Sequence, residues 1–230
     1  MRLTLHARVG AFVLVTGLFV GAMAPAAPAI QPGTFISTPV GGCTLSFVYD
    51  GGGPVSGRVF MGTAAHCVRR TGDKVALEDG TVVGTAAVIG NANNASTDWA
   101  LIEIAPAYVS RVKASVIGHP TTPTGYAKTS RTGDEVLFSG YGIPWDQASY
   151  TRENRFGFMT SHEKSHYELI GSDTWGDSGG PIVFAKDGKA LGIVSRFCIG
   201  VCTSEGPTVQ GILDQAAAKG YAVTLRTVVP

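Results

Sequence analysis

The segment "TWGDSGGPIV", from Thr174 to Val183, surrounds Ser178 with three glycines and one proline. Glycine and proline are common in ordinary turns, because they allow or fix backbone angles that other residues adopt less readily. A serine in such a turn can also be a nucleophile, provided that a base and an orienting carboxylate are supplied from elsewhere in the chain. The interpretation of this sequence therefore depends on which histidine and which acidic residue could serve Ser178.

The order of residues along the chain separates the known arrangements of a nucleophilic serine. All five histidines precede Ser178: His6, His66, His119, His162 and His166. The match of residues 176–180 to G-x-S-x-G therefore does not indicate an α/β-hydrolase, in which the histidine follows the serine. The order Asp-His-Ser would need Asp50 as the acid for His66, and Asp50 lies in "YDGGG", which is typical of an exposed turn.

The remaining order is His, Asp, Ser. His66 ends an apolar stretch in "GTAAHCV", and Asp98 comes directly before an apolar run in "STDWALIEI". Taken singly, the histidine could be an ordinary half-buried residue, and the carboxylate could be a solvated strand cap. Their joint occurrence in one consistent order predicts that His66, Asp98 and Ser178 form a catalytic triad.

The composition favours short strands joined by tight turns. The chain has 230 residues with 31 glycines, and 15% of its residues are charged, against about 25% in average globular domains. Apolar segments of strand length alternate with glycine-rich turns on both sides of a Pro/Thr/Gly-rich stretch, which predicts an all-β protein of barrels or sandwiches. We expect two β domains, 30–117 and 130–230, with a linker at 118–129 and a short helix at "GILDQAAAKG".

The N-terminus indicates where the protein is located, and the charge distribution limits the kinds of partner that it can bind. Residues 1–29 combine a basic start, an apolar run and small residues near Ala29, which is the order of a secretory signal peptide. The apolar run of about 15 residues is shorter than the roughly 20 that span a bilayer, so an uncleaved anchor is the weaker alternative. A net charge of +1 with scattered basic residues argues against a nucleic-acid partner. We expect a secreted monomer with no membrane association after signal cleavage.

Export affects the interpretation of the four cysteines. In an oxidising compartment an even number predicts two disulfides, with three possible pairings. Cys198 and Cys202 are close in sequence, so the natural pairing joins these two and leaves Cys43 with Cys67. A zinc site is the alternative use, but the spacings contain no C-x₂-C pair.

Three segments carry a family resemblance: "TAAHC", "DWALI" and "GDSGGP". They resemble the signature segments of the chymotrypsin-like serine proteases, and "GGCTLSF" and "KALGIVS" resemble the secreted bacterial members such as the streptogrisins. The resemblance implies two six-stranded antiparallel β-barrels with the active site in the cleft between them. His66 and Asp98 would come from the first barrel and Ser178 from the second.

The resemblance also implies a role for each residue of the site. Asp98 would orient His66, and His66 would take the proton of Ser178 and pass it to the leaving amine. The backbone amides of Gly176 and Ser178 would form the oxyanion hole. The substrate would be a polypeptide, and no cofactor or metal would be needed. The alternative of another class is an inactive homologue that binds peptides or a protein partner.

Four residues are expected to contact the substrate: Ser195, Arg196, Phe197 and Asp173. Phe197 stands near a position where many relatives keep glycine, so it would shorten the pocket and favour small or medium apolar side chains. Asp173 lies one position from the pocket aspartate of trypsin-like members, and it would instead select Arg or Lys. Of these two preferences, we expect the apolar one.

Two further features are left open by the sequence. "HEKSH", from His162 to His166, matches the zinc-binding H-E-x-x-H pattern, although its surroundings favour a polar strand or hairpin. Asp177 needs a cationic partner if it is buried. The arginine that bacterial relatives use is replaced by Phe138, which leaves Arg155 or an Ile30 amine freed by signal cleavage.

Overall fold

The computed structural model describes residues 27–142, 155–196 and 203–228. Strands dominate these residues and form two antiparallel sheets. The first sheet contains β1 (Phe35–Ser37), β2 (Gly42–Thr44), β3 (Val48–Gly51), β4 (Val59–Thr63), β5 (Lys74–Ala76), β6 (Val82–Ile89), β7 (Ala100–Ile104) and β14 (Val223–Leu225). The second contains β8 (Glu135–Phe138), β9 (Arg155–His162), β10 (His166–Gly171), β11 (Pro181–Phe184), β12 (Ala190–Ile193) and β13 (Ser204–Pro207).

The first sheet is a six-stranded barrel with one added strand. Its order is β14-β3-β4-β7-β6-β5-β1-β2. β2 and β3 are two halves of one bent strand, because the residues between them stay paired on both sides. Leu45 N donates to Thr34 O at 2.8 Å, beside β1, and Ser46 N donates to Gly62 O at 2.6 Å, in β4. If β2 and β3 are counted as one strand, the sheet contains the six predicted barrel strands, which close on themselves. The seventh strand, β14, pairs with β3.

The second sheet has the order β12-β11-β8-β9-β10-β13 and also curls back on itself. Just after β12, Arg196 and Glu205 exchange two backbone hydrogen bonds, of 3.0 and 2.9 Å, which bring β13 against the chain that leaves β12. The predicted fold class, all-β with two six-stranded antiparallel barrels, is confirmed. A single α-helix occurs in the described part of the chain, α1 (Val209–Ala218), near the predicted C-terminal helix.

Buried apolar side chains form a core in each barrel and a third cluster that joins them. The joining cluster contains Trp99, whose fully buried ring donates from Nε1 to Gln215 Oε1 of α1 at 2.8 Å. Because Trp99 follows Asp98 directly, this contact ties the loop of the predicted triad acid to the C-terminal helix. The loop is thus held by residues more than a hundred positions away in sequence.

The two sheets are connected by a stretch without strands between β7 and β8. This stretch includes 118–129, and the linker and the domain limits stay proposals. β14 lies within the proposed second domain, 130–230, but pairs with β3 of the first sheet. The predicted signal peptide lies almost entirely outside the described residues. Among the helices that the structure describes, none combines the length and the apolar character needed to cross a membrane.

Candidate active site

The positions of His66 and Asp98 follow from the pairing of two strands. β4 ends at Thr63 and β7 begins at Ala100, and these two residues are partners in the antiparallel register. His66 lies in a short 3₁₀ turn, Ala65–Cys67, just after β4, and Asp98 ends another 3₁₀ turn just before β7. The end of one strand and the start of its neighbour therefore bring the two side chains to the same edge of the first barrel.

Both carboxylate oxygens of Asp98 are hydrogen-bonded to His66. His66 Nδ1 lies 2.7 Å from Asp98 Oδ2, and the backbone amide of His66 donates to Oδ1 at 2.9 Å. The carboxylate is 1% exposed, whereas the imidazole is 38% exposed. This geometry fixes the ring through Nδ1 and leaves Nε2 without a hydrogen bond to any described residue, as a general base requires.

Ser195 is a further partner of the same carboxylate. Its hydroxyl donates to Asp98 Oδ2 at 2.6 Å, and the residue is buried. Burial by itself raises the pKa of Asp98, but the contacts with His66 and the hydrogen bond from Ser195 outweigh it, so the pKa lies below its ordinary value. Asp98 is therefore held ionised. Ser195, expected from the sequence to contact substrate, is thus found on the carboxylate that orients His66.

The serine segment is docked onto the first barrel through Thr44. Thr44 N donates to Ser178 O at 2.9 Å, and Thr44 Oγ1 donates to Gly176 O at 2.8 Å. The Ser178 carbonyl also lies 3.7 Å from Cys67 Sγ, beside His66. The predicted disulfide between Cys43 and Cys67 is present, and it links the chain on either side of this docking point. Ser178 from the second barrel is thereby held next to the loop that carries His66.

The hydroxyl of Ser178 is not engaged in any hydrogen bond with another residue that the structure describes. In particular, it makes no hydrogen bond to His66, so two of the three predicted triad residues are bonded to each other and the third is brought into their neighbourhood. Such contacts are often loose in unliganded enzymes and tighten when substrate binds. Ser178 is partly exposed, as a nucleophile must be to reach a substrate.

The backbone around Ser178 has the conformation that an oxyanion hole needs. Gly176 has a φ of +99°, and a Cβ there would lie 2.8 Å from Tyr141 O, so both the angle and the space favour glycine. The backbone amides of Gly176 and Ser178 donate to no acceptor within the described ranges. Two unpaired amides that flank one turn can bind a developing oxyanion.

Asp177 is buried and paired with Arg155. Arg155 Nη1 contacts Asp177 Oδ2, and both side chains are 2% exposed. Two backbone amides add to the pair: Thr174 N donates to Oδ2 at 2.9 Å and Gly142 N donates to Oδ1 at 2.7 Å. Burial raises the pKa of Asp177, and the charge of Arg155 and the two amides offset part of that effect.

Of the two partners considered for Asp177, this structure contains the Arg155 pair. Arg155 is the register partner of Phe138, the position at which the arginine of bacterial relatives was expected. The guanidinium therefore reaches Asp177 from the neighbouring strand β9 instead of from β8. In the uncleaved chain Ile30 is buried in the first barrel, where its backbone amide donates to Arg111 O at 2.9 Å, and the route through an amine freed by signal cleavage stays a prediction.

Asp173 is a buried carboxylate that forms no salt bridge with any described residue. It is 8% exposed, and Ser204 Oγ donates to its Oδ1 at 2.7 Å. Burial raises the pKa of Asp173 to about 6, and the Ser204 hydrogen bond limits the rise. None of the salt bridges formed by described residues includes Asp173. Ser204 precedes Glu205, whose backbone pairs with Arg196, so Asp173 lies close to the proposed substrate strand.

Several predicted site residues could not be placed. Phe197, Cys198 and Cys202 lie outside the described residues, and so does the predicted disulfide between the two cysteines. Arg196 is described: its backbone pairs with Glu205, and Arg196 Nη2 donates to Ala92 O at 3.4 Å. Its guanidinium thus faces the loop before Asp98.

The "HEKSH" segment forms a hairpin and not a zinc-binding helix. β9 ends at His162, β10 begins at His166, and Glu163 N donates to His166 O at 2.7 Å in the turn between them. His162 stacks on Phe184, and burial lowers its pKa. The polar strand or hairpin expected from the surroundings is confirmed, and the two histidines have different neighbours.

Thr44 and Ser204 are site residues that the sequence analysis did not identify. Thr44 follows Cys43 in a quoted segment, but nothing local signals that its side chain holds a segment 132 positions away. Ser204 is likewise separated from Asp173 by 31 positions. The Thr44 contact depends on how the two barrels meet, and the Ser204 contact depends on the pairing of β10 with β13, so neither is encoded in a short-range pattern.

Comparison with known protein families and proteins gives matches over most of the chain. A family model described as Trypsin matches residues 42–212. A protein named Trypsin from Simulium vittatum is 29% identical over 198 residues, which cover 74% of this chain and 78% of that protein.

Solved structures of bacterial proteases share the fold. Thermobifida fusca Protease A superposes with a TM-score of 0.62 at 21% identity, covering 87% of this chain and 100% of that chain. A chymotrypsin of Cellulomonas bogoriensis gives 0.56 at 20% identity, covering 86% and 100%. At these identities the likeness concerns the fold, and the chemistry has to be argued from the residues described above.

Proposed function

The chain belongs to the trypsin family, and from this premise we propose that it is a secreted serine endopeptidase whose triad is His66, Asp98 and Ser178. The family acts on polypeptides, so a polypeptide is the substrate. The observation that carries the proposal is the pair of hydrogen bonds between His66 and the Asp98 carboxylate, at 2.7 Å from Nδ1 and 2.9 Å from the backbone amide. The segment of Ser178 lies beside this pair, where Thr44 holds it.

The proposed chemistry is acyl transfer. His66 removes the proton from Ser178 Oγ as the hydroxyl attacks the scissile carbonyl, and the proton then passes from Nε2 to the leaving amine. Asp98 stabilises the imidazolium that forms in between. The amides of Gly176 and Ser178 bind the oxyanion, and removal of one such donor in other enzymes costs about 2.7–4 kcal/mol. Water repeats the sequence on the acyl-enzyme and regenerates Ser178.

Two features support activity over the alternative of an inactive, peptide-binding homologue. An inactive protein has no need to keep Asp98 ionised and hydrogen-bonded to both His66 and Ser195. It also has no need for two backbone amides that donate to no described acceptor beside a partly exposed serine.

We further propose that Asp173 directs the enzyme to Arg or Lys before the scissile bond. The support is its burial, the hydrogen bond that it accepts from Ser204, and the lack of a salt bridge to any residue that the structure describes. A buried carboxylate in this position favours a cationic side chain and disfavours an apolar one. The apolar preference expected from Phe197, which lies outside the described residues, is the alternative outcome of the test. Discrimination of this kind is measured as a ratio of kcat/KM values.

The test is hydrolysis of a protein substrate and of matched peptides by the mature enzyme. We expect cleavage that is lost by several orders of magnitude in Ser178→Ala, His66→Ala and Asp98→Asn, and that is unaffected by EDTA. Thr132→Val, which changes an exposed hydroxyl on the second barrel, is a matched control that keeps full activity. Cleavage that persists in Ser178→Ala, or that EDTA abolishes, contradicts the proposal.

Secretion is proposed from the signal-like N-terminus, and the disulfide supports it. Disulfides persist in oxidising compartments and are rare in the cytosol. N-terminal sequencing of protein recovered from the culture medium tests this: we expect a mature chain that begins near Ile30. Full-length protein retained in the cytosol contradicts it.

A further inference from the structure

Strand β10 presents two metal-binding side chain types on its outer face. Tyr167 and Leu169 are buried in the second barrel, and His166 and Glu168 alternate with them. Successive side chains of a strand point to opposite faces, so His166 and Glu168 share one face. Neither residue has a role in the proposed triad.

A third such side chain comes from the neighbouring strand β13. Glu205 is the register partner of Glu168, so two carboxylates face each other across the strand pair. His166 Nε2 lies 3.0 Å from Glu205 Oε2. One ligand atom from each of the three side chains lies within 4.8 Å of the other two.

The charges around this cluster leave it with an excess of carboxylate. Like charges directly opposite each other on paired strands destabilise the pairing. Arg196 reaches Glu205, with Nη1 at 3.5 Å from Oε1, while Lys164 is engaged by Asp214. No salt bridge within the described part of the chain includes Glu168. A cation placed between the two carboxylates would remove their repulsion.

We propose that His166, Glu168 and Glu205 bind a divalent transition-metal ion, with zinc as the best fit. One imidazole nitrogen and two carboxylate oxygens are a donor set that zinc accepts, whereas magnesium and calcium prefer sites built from oxygen alone. Three protein ligands leave a fourth position for water. His166 and Glu205 border an open cavity of about 360 Å³, through which an ion can enter.

The distances are compatible with such a site. Zinc bonds of about 2.0–2.2 Å in a tetrahedral arrangement place neighbouring ligand atoms about 3.3 Å apart. The pair formed by His166 and Glu205, at 3.0 Å, is already near that spacing. Glu168 is partly exposed and can close the remaining gap by rotation of its side chain. The strand backbones, which are hydrogen-bonded in register, need not move.

This site differs from the zinc motif considered in the sequence. H-E-x-x-H would use His162 and His166 together, but His162 hydrogen-bonds Ser130 at 3.1 Å on another side of the hairpin. The other cluster of metal-binding residue types contains His66, Cys43 and Cys67. Both of its cysteines are in the disulfide and offer no thiolate. The proposed ion would crosslink β10 and β13 and would take no part in catalysis.

The experiment is titration of the Ser178→Ala full chain with zinc chloride. If the proposed function is right, this variant cannot digest itself. If the proposed function is wrong, the metal site is still intact, so the two proposals fail separately. We expect one zinc ion per chain by calorimetry. At a zinc concentration 100-fold above Kd, the Tm should rise by about 5–10 °C. Magnesium and calcium chloride should cause no shift.

Variants locate the ion. His166→Gln and Glu168→Gln should each weaken zinc binding at least tenfold and remove the Tm shift. Matched controls, His162→Gln in the same hairpin and Glu135→Gln on β8, should retain both. Absence of zinc binding, or binding that survives His166→Gln and Glu168→Gln, overturns the proposal. The second result would place the ion elsewhere, for example at His66.

Discussion

Replacement of Asp173 by asparagine should make the protein more stable at neutral pH and less selective. Burial raises the pKa of Asp173 to about 6 in the folded protein from an ordinary value of 3.8. An acid with a raised folded pKa contributes its full stability below its unfolded pKa and loses it as pH rises through the folded pKa. The stability that Asp173 contributes is therefore lost between about pH 4 and pH 7.

The size of the effect follows from the same two values. Each pKa unit corresponds to about 1.4 kcal/mol, so ionisation of Asp173 lowers the free energy of unfolding by up to about 3 kcal/mol at pH 8. Asparagine has nearly the same shape and keeps an oxygen that can accept from Ser204. We therefore expect Asp173→Asn to match the parent protein near pH 4 and to exceed it by about 2–3 kcal/mol at pH 8.

Urea unfolding in a Ser178→Ala background measures this difference at each pH. The difference between the two proteins isolates Asp173, because all other titrating groups are shared. Ser204→Ala is a second informative variant. It removes the hydrogen bond that limits the rise in the pKa of Asp173, so the loss of stability should occur at higher pH. In the active protein, Asp173→Asn should lower kcat/KM for Arg and Lys substrates by about 10-fold to 150-fold. A stability difference that does not vary with pH, or an unchanged preference for Arg and Lys, would refute the reasoning.

Three other changes test the structure around the site. Arg155→Leu leaves Asp177 as an unpaired buried charge and should cost about 3–5 kcal/mol in urea unfolding; a cost below about 1 kcal/mol would mean that the pair is not buried. Ser195→Ala removes a hydrogen bond to ionised Asp98 and should lower kcat about tenfold with little change in KM, whereas unchanged kcat would exclude a positioning role. Replacement of both cysteines of the described disulfide, which closes a loop with a sequence separation of 24, should destabilise the protein by about 3 kcal/mol, and an unchanged Tm would contradict this.

The features that could be predicted from the sequence are those with a local signal. The fold class could be predicted because short apolar segments and glycine-rich turns recur along the whole chain, and the segments around His66, Asp98 and Ser178 each carry a short motif. The Cys43–Cys67 disulfide could be predicted because four cysteines allow only three pairings, and because Cys198 and Cys202 are close enough in sequence to be paired with each other.

What the sequence could not supply depends on contacts between strands that are distant in the chain. Arg155 was one of two candidates for Asp177, and only the register of β8 and β9 places it opposite Phe138. Thr44 gives no sign, in its own neighbourhood, of the two hydrogen bonds that hold the serine segment. The environment of Asp173 is likewise set by Ser204 from another strand.

The central claim is that Ser178 is a nucleophile activated by His66, and covalent labelling tests it most directly. The mature protein is incubated with a fluorophosphonate probe, and the modified peptide is identified by mass spectrometry. We expect one label per chain, on Ser178, with labelling lost in Ser178→Ala and slowed by at least about 1000-fold in His66→Ala. A folded protein that takes up no label, or that is labelled at the same rate without His66, would contradict it.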